Sequence, residues 1–127
     1  MSAEPGQVAW FDNTVEDADK LRDFYAAVVG WKPEPVAMGD YADYNMTDGT
    51  GKPVTGICHA RGANAKIPPG WLLYFSVANF DASLAKAQEL GATVLDGPRG
   101  KAPSRFAILR DPAGCVVAIS ETGAASG

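Results

Sequence analysis

The chemistry open to this chain follows from a short inventory: one histidine, His59, standing next to the first of two cysteines, Cys58 and Cys115. A thiol and an imidazole side by side could join a nearby Asp and Glu121 in a metal-binding cluster. On a strand, however, neighbouring side chains point to opposite faces, so Cys58 and His59 should not enter one site. The plain expectation is that His59 ends a strand with a backbone partner or water and that both thiols pack, reduced, as small hydrophobes. No serine stands in a nucleophile elbow, which excludes a Ser-His-acid arrangement. The carboxylates Asp40, Asp43 and Asp48 of GDYADYNMTDGTG lack the spacing and closing Glu of a calcium loop and read as solvated turns. The glycines of DGTG and GPRG join no strand to a helix start, so a phosphate cradle is not supported. For proton transfer or orientation there remain Asp12, Tyr44, His59 and Tyr74.

The elements that must position these residues come in two copies, about sixty residues apart. That period is too long for a solenoid and suits a duplicated module. In the first copy QVAWFDNTV leads into EDADKLRDFYAAVVGW, where Leu21, Phe24, Tyr25 and Val28 fall on one helical face. Thr14 or Asp17 can cap its start and Gly30 its end. In the second, WLLYFSVANF leads into DASLAKAQELGATVL, with Phe80, Leu84 and Ala87 on one face, Asn79 or Asp81 as cap and Gly91 as stop. Three strands follow each helix: 35–38, 41–46 and 53–60 in the first copy, 93–95, 105–109 and 115–121 in the second. The pattern predicts one α+β domain spanning residues 1–127, with module one at about 7–60, a Gly/Ala/Pro-rich linker at about 61–70 and module two at about 71–121.

Composition sets outer bounds. With 46% hydrophobic residues in 127, the chain can bury one core. A net charge of −4 provides no basic footprint for nucleic acid. No apolar run approaches a membrane span and no leader pattern precedes the first strand, so a cytoplasmic protein is expected.

The V-E-D start with F-Y and G-W in its helix (Val15 to Asp17, Phe24, Tyr25, Gly30, Trp31), the second V-x-N helix ending L-G-A and the late R-D-P-A-G turn (Arg110 to Gly114) resemble the vicinal oxygen chelate superfamily. That superfamily includes glyoxalase I, extradiol dioxygenases, fosfomycin-resistance enzymes and bleomycin-binding proteins. The chain looks closest to bacterial proteins related to lactoylglutathione lyase. The resemblance implies two βαβββ modules whose sheets line a cleft. In the superfamily's enzymes that cleft holds a divalent metal, bound by His, Gln or Glu from the first and last strands of each module.

Three of the positions matching those ligands are Trp10, Leu72 (or Trp71) and Ala118, none of which can ligate; the last strand of module one leaves Cys58 or His59 for the fourth, and a single histidine cannot supply a two-histidine site within one subunit. No metal or other cofactor is therefore expected. Alternation along the strands assigns Trp10, Asp12, Tyr44, Met46, Leu72, Tyr74, Phe106, Ile108, Val116, Ala118 and Ser120 to an apolar ligand-binding cleft with a few polar handles. The expected function is binding of a small apolar or aromatic molecule in the inter-module cleft, without metal. The alternatives are a metal-dependent glyoxalase-like lyase or dioxygenase with a site completed across a dimer, and an antibiotic-sequestering resistance protein. A homodimer is the assembly the resemblance implies, with no nucleic acid and no membrane as partner.

Overall fold

The chain's computed structural model describes residues 4–121. They form eight strands and two α-helices in the order β1 (Val8–Val15), α1 (Ala18–Val29), β2 (Lys32–Ala37), β3 (Ala42–Thr47), β4 (Pro53–His59), β5 (Trp71–Val77), α2 (Phe80–Glu89), β6 (Thr93–Arg99), β7 (Phe106–Arg110) and β8 (Val116–Glu121). Strand, helix and three strands thus occur twice. Each helix starts where the sequence places a cap: Asp17 accepts the Lys20 backbone N–H at 3.0 Å, and Asn79 accepts that of Ala82 at 3.1 Å. α1 stops at Gly30, whose φ of 84° is left-handed. Among the described residues no helix is long and apolar enough to cross a membrane.

The chain divides into two compact units. One holds Asp12–Trp71, and the other holds the chain up to Phe11 and from Leu72 onward. The segment expected as a linker, with its 3-10 turn at Gly62–Asn64, therefore goes with the first module, and so does Trp71. The indole explains this placement: it packs edge-on against Tyr25 at 5.2 Å and Trp31 at 6.1 Å and donates to the Tyr25 hydroxyl at 3.2 Å.

In the unit of residues 12–71 the strand order is β2-β3-β4-β1, with β1 and β4 parallel and the other pairs antiparallel. Ala18, Tyr44, Met46 and Ile57 form its core under α1, joined by Val15, Leu21, Tyr25, Trp31 and Trp71. The buried arc of α1 is thus Ala18, Leu21 and Tyr25, whereas Phe24 and Val28, expected on the same face, are exposed. Ala18, at the start of that arc, is fully buried.

The other unit repeats the order as β6-β7-β8-β5, and Phe80, Ala107 and Leu109 pack with Leu84, Ala87 and Ile119 beneath α2. In each unit the outermost strand carries proline, Pro33 and Pro35 in β2 and Pro98 in β6, which removes donors from an edge that could otherwise recruit another strand. That edge position also lets β2 start at Lys32, earlier than the prolines suggest.

Arg105 ties the start of β7 to its neighbours. Its Nε donates to Glu121 at 2.7 Å, its Nη1 donates to Asp81 at 3.0 Å, and the guanidinium lies over the Phe80 ring at 4.9 Å. Hydrogen bonds from Arg105 hold the Glu121 carboxyl below its ordinary range. A depressed carboxyl stabilises the fold above its unfolded pKa, and that contribution disappears as pH falls through the lower folded value. Urea midpoints measured from pH 7 down to 3 should show this acid-side loss in the native chain. An Arg105→Met variant should lack that component.

Candidate functional site

Strand register decides which expected site residues share a face. In the unit of β5–β8, Tyr74 pairs with Ala118, which pairs with Ile108 on its other side, and Ser76 pairs with Ser120, which pairs with Phe106. These residues, with Leu72 and Val116 by alternation, lie on the face opposite α2. All seven module-two candidates thus stand on one helix-free surface. Tyr74 and Phe106 meet edge-on at 5.7 Å, and Leu72, Tyr74, Ile108 and Ala118 are buried. Ser120 is 1% exposed, and its Oγ has no hydrogen-bond partner among the described residues.

In the unit of residues 12–71 the expectations divide. Asp12 pairs with Gly56, and Thr14 with Cys58, on the face away from α1. A Cβ at Gly56 would meet that of Asp12 at 3.4 Å, so the glycine leaves the carboxylate room. Trp10, half-buried, lies outside this unit, in the part of β1 that goes with β5–β8. Asp43 shares the face of Asp12 and Thr14, since the Cys58 thiol donates to its carboxylate and is approached by the Thr14 hydroxyl. Burial and the nearby carboxylates push this thiol up to about 12.

Tyr44 and Met46 are corrected. Both lie on the other face, in the core beneath α1, because Tyr44 pairs with Ile57 and Met46 with Thr55. The Tyr44 hydroxyl accepts from Arg22 at 2.8 Å and donates to Asp19 at 2.6 Å, and the bond to Asp19 raises its pKa. His59 lies on this side as well. Its Nδ1 is 2.8 Å from the Ala42 carbonyl oxygen, which can only accept, so Nδ1 carries a proton. Its backbone N–H donates to Asp43 at 2.8 Å, and Nε2 is 3.8 Å from the Asp19 carboxylate. Of the proton-transfer candidates, Asp12 and Tyr74 are on helix-free faces, whereas Tyr44 and His59 are not.

Sequence reasoning missed Asp96 and Arg99, which share the face of Phe106 and Ile108. They lie in DGPRGKAPS, whose glycines and prolines read as a turn but in the fold extend β6.

The two repeated βαβββ units have counterparts among known proteins. The sequence model of a family described as "Glyoxalase-like domain" matches residues 9–120. The chain belongs to this glyoxalase-like family. It is therefore a member of the vicinal oxygen chelate superfamily. Among its relatives, "Anthracycline biosynthesis protein DnrV" of Streptomyces peucetius is 31% identical over 123 residues, covering 95% of this chain and 43% of the relative. "Putative glyoxylase CFP32" of Mycobacterium tuberculosis is 30% identical over 118 residues, covering 91% and 44%. The chain thus spans less than half the length of these relatives.

Two solved structures show the same fold. A Streptomyces coelicolor methylmalonyl-CoA epimerase in complex with 2-nitronate-propionyl-CoA has TM-score 0.58 at 21% identity, covering 95% of this chain and 100% of that one. The Mn(II)-bound glyoxalase from Novosphingobium aromaticivorans has TM-score 0.61 at 18% identity, covering 100% and 42%.

A divalent metal of the superfamily kind does not fit the side chains of this glyoxalase-like chain. Three of the matching positions carry the indole of Trp10, the isobutyl of Leu72 and the methyl of Ala118; of the two residues open for the fourth, His59 is engaged on the helix side and the Cys58 thiol is protonated and donates to Asp43. Among the described residues no three His, Cys, Asp or Glu side chains are grouped to hold an ion.

Proposed function

We propose that this glyoxalase-like protein binds a small apolar or aromatic molecule without a metal, on the helix-free faces of its sheets. The observation that carries the reading is the register of β5, β8 and β7, which gathers Tyr74, Phe106, Ile108, Ala118 and Ser120 on one face where no side chain is a metal ligand. Aromatic rings contribute large contact area at little entropic cost, and the Ser120 hydroxyl offers a polar handle. The name of the anthracycline-biosynthesis relative supports an aromatic ligand. If the ligand is also transformed, Asp12 or Tyr74 is our candidate for proton transfer.

Thermal unfolding against a panel of neutral two- and three-ring aromatics tests the proposal. A ligand at a hundred times its dissociation constant should stabilise the protein by about 2.7 kcal/mol, equally with and without chelator. Phe106→Ala should weaken that ligand about tenfold. Stabilisation that needs Mn(II), Zn(II) or Ni(II) and disappears on chelation would overturn the proposal in favour of a metal-dependent lyase or dioxygenase.

A further inference from the structure

β6 departs from regular pairing twice, and each departure turns a charged side chain toward the same apolar face. Val94 pairs with Leu109, on the side packed under α2. In a regular strand Asp96, two residues on, would share that side. Instead Asp96 pairs with Ile108, one residue from Leu109, so an extra residue in β6 rotates its carboxylate to the helix-free face. Arg99, three residues further, would then point back toward α2. A second extra residue pairs it with Phe106, two residues from Ile108, and keeps it beside Asp96.

The second bulge depends on Gly97. Its φ is 105°, and an added Cβ would meet Phe106 O at 3.0 Å and Ala107 Cα at 3.1 Å. The outcome is a compact arrangement: Arg99 Nη1 donates to Asp96 at 3.1 Å, the guanidinium lies over the Phe106 ring at 5.1 Å, and Phe106 meets Tyr74 edge-on. Both charged side chains are a little over one quarter exposed, at 27% for Arg99 and 28% for Asp96, so solvent and solute reach them. Bulges that re-aim side chains are enriched beside binding and active sites.

We propose that the Asp96–Arg99 pair reads a carbonyl oxygen on the edge of a neutral, flat aromatic ligand, which makes aromatic ketones and quinones the ligand class. The inference rests on the ligand-binding reading above and adds the group that is recognised. A guanidinium is a planar fork of donors that also stacks on aromatic surfaces, which suits a carbonyl attached to a ring. Asp96 cancels its charge. A carboxylate ligand would gain Arg99 but be repelled by Asp96, so the pair favours neutral oxygen.

Fluorene and 9-fluorenone differ in a CH₂ against a C=O and form the test pair, with 9-fluorenone-2-carboxylate as the anionic probe. The native chain should bind fluorenone about tenfold tighter than fluorene, a hydrogen bond from a charged donor. Arg99→Met should reduce this preference to twofold or less, whatever its effect on fluorene itself, and an unchanged far-UV circular dichroism spectrum shows that the variant is folded. The carboxylate should bind no tighter than fluorenone. Equal binding of fluorene and fluorenone, or a preference that survives Arg99→Met, would overturn the inference and leave the ligand-binding reading standing. Tenfold tighter binding of the carboxylate would overturn the neutral class. Failure of every aromatic to bind would overturn both readings.

Discussion

Gly97→Ala should destabilise the fold by about 3 kcal/mol, combining roughly 1–2 kcal/mol for a side chain at positive φ with roughly 1–3 kcal/mol for overpacking. The first part reflects a backbone at φ 105°, which L side chains rarely adopt. The second comes from the atoms the new methyl would meet: Phe106 O at 3.0 Å, Ala107 Cα at 3.1 Å and Arg99 N at 3.2 Å. All three are backbone and cannot swing aside as a side-chain tip would. Gly114 separates the two contributions, since its φ is 92° and nothing lies within 4 Å of its added Cβ. Gly114→Ala should therefore cost only about 1 kcal/mol. With a urea slope of about 2 kcal/mol/M, the midpoints should fall by roughly 1.5 M and 0.5 M respectively. Equal shifts would mean that β7 does not confine the bulge, and the alignment of Asp96 with Arg99 would lose its structural cause.

The duplicated architecture was legible because it is written in local signals. Asp17 and Asn79 cap the helices, and Gly30 and Gly91 take positive φ just past their ends. The module-two face was legible for the same reason: β5, β7 and β8 pair in continuous register, so alternation alone sorts Tyr74, Phe106, Ile108, Ala118 and Ser120. Alternation failed where a face had to be chosen without an anchor. Tyr44 and Met46 alternate as expected, but only the packing of α1 shows which side of β3 it covers. On α1 the apolar residues Leu21, Phe24, Tyr25 and Val28 outnumber what the sheet can cover, and periodicity does not reveal that Ala18 is fully buried. Asp96 and Arg99 were hidden for a third reason. A bulge changes the parity of a strand, and Gly-Pro inside DGPRG gives the composition of a turn whether the chain reverses there or continues as an irregular edge.

The two cysteines should differ in alkylation rate by about a hundredfold at pH 8, with Cys115 fast and Cys58 slow. Cys115 is exposed at the turn before β8, whereas Cys58 is held up to about 12 by burial, by Asp43 and by Asp12. Relative to an ordinary thiol near 8.5, a pKa of about 12 reduces the thiolate fraction at pH 8 by roughly three orders of magnitude. The more basic thiolate is intrinsically more nucleophilic and recovers about one and a half of those orders, leaving a difference near a hundredfold once restricted access is included. Iodoacetamide labelling followed by peptide mass mapping reads both sites in one sample, and urea should equalise them. Asp43→Asn should speed labelling of Cys58 several-fold, because it removes a carboxylate that disfavours the thiolate. Comparable rates in the native chain would contradict the buried group of Asp12, Thr14, Asp43 and Cys58. Asp12 would then be a solvated carboxylate, with no claim to proton transfer on a bound ligand. A slow Cys58 that Asp43→Asn accelerates would place two carboxylates, Asp43 and Asp12, around one neutral thiol on the helix-free face.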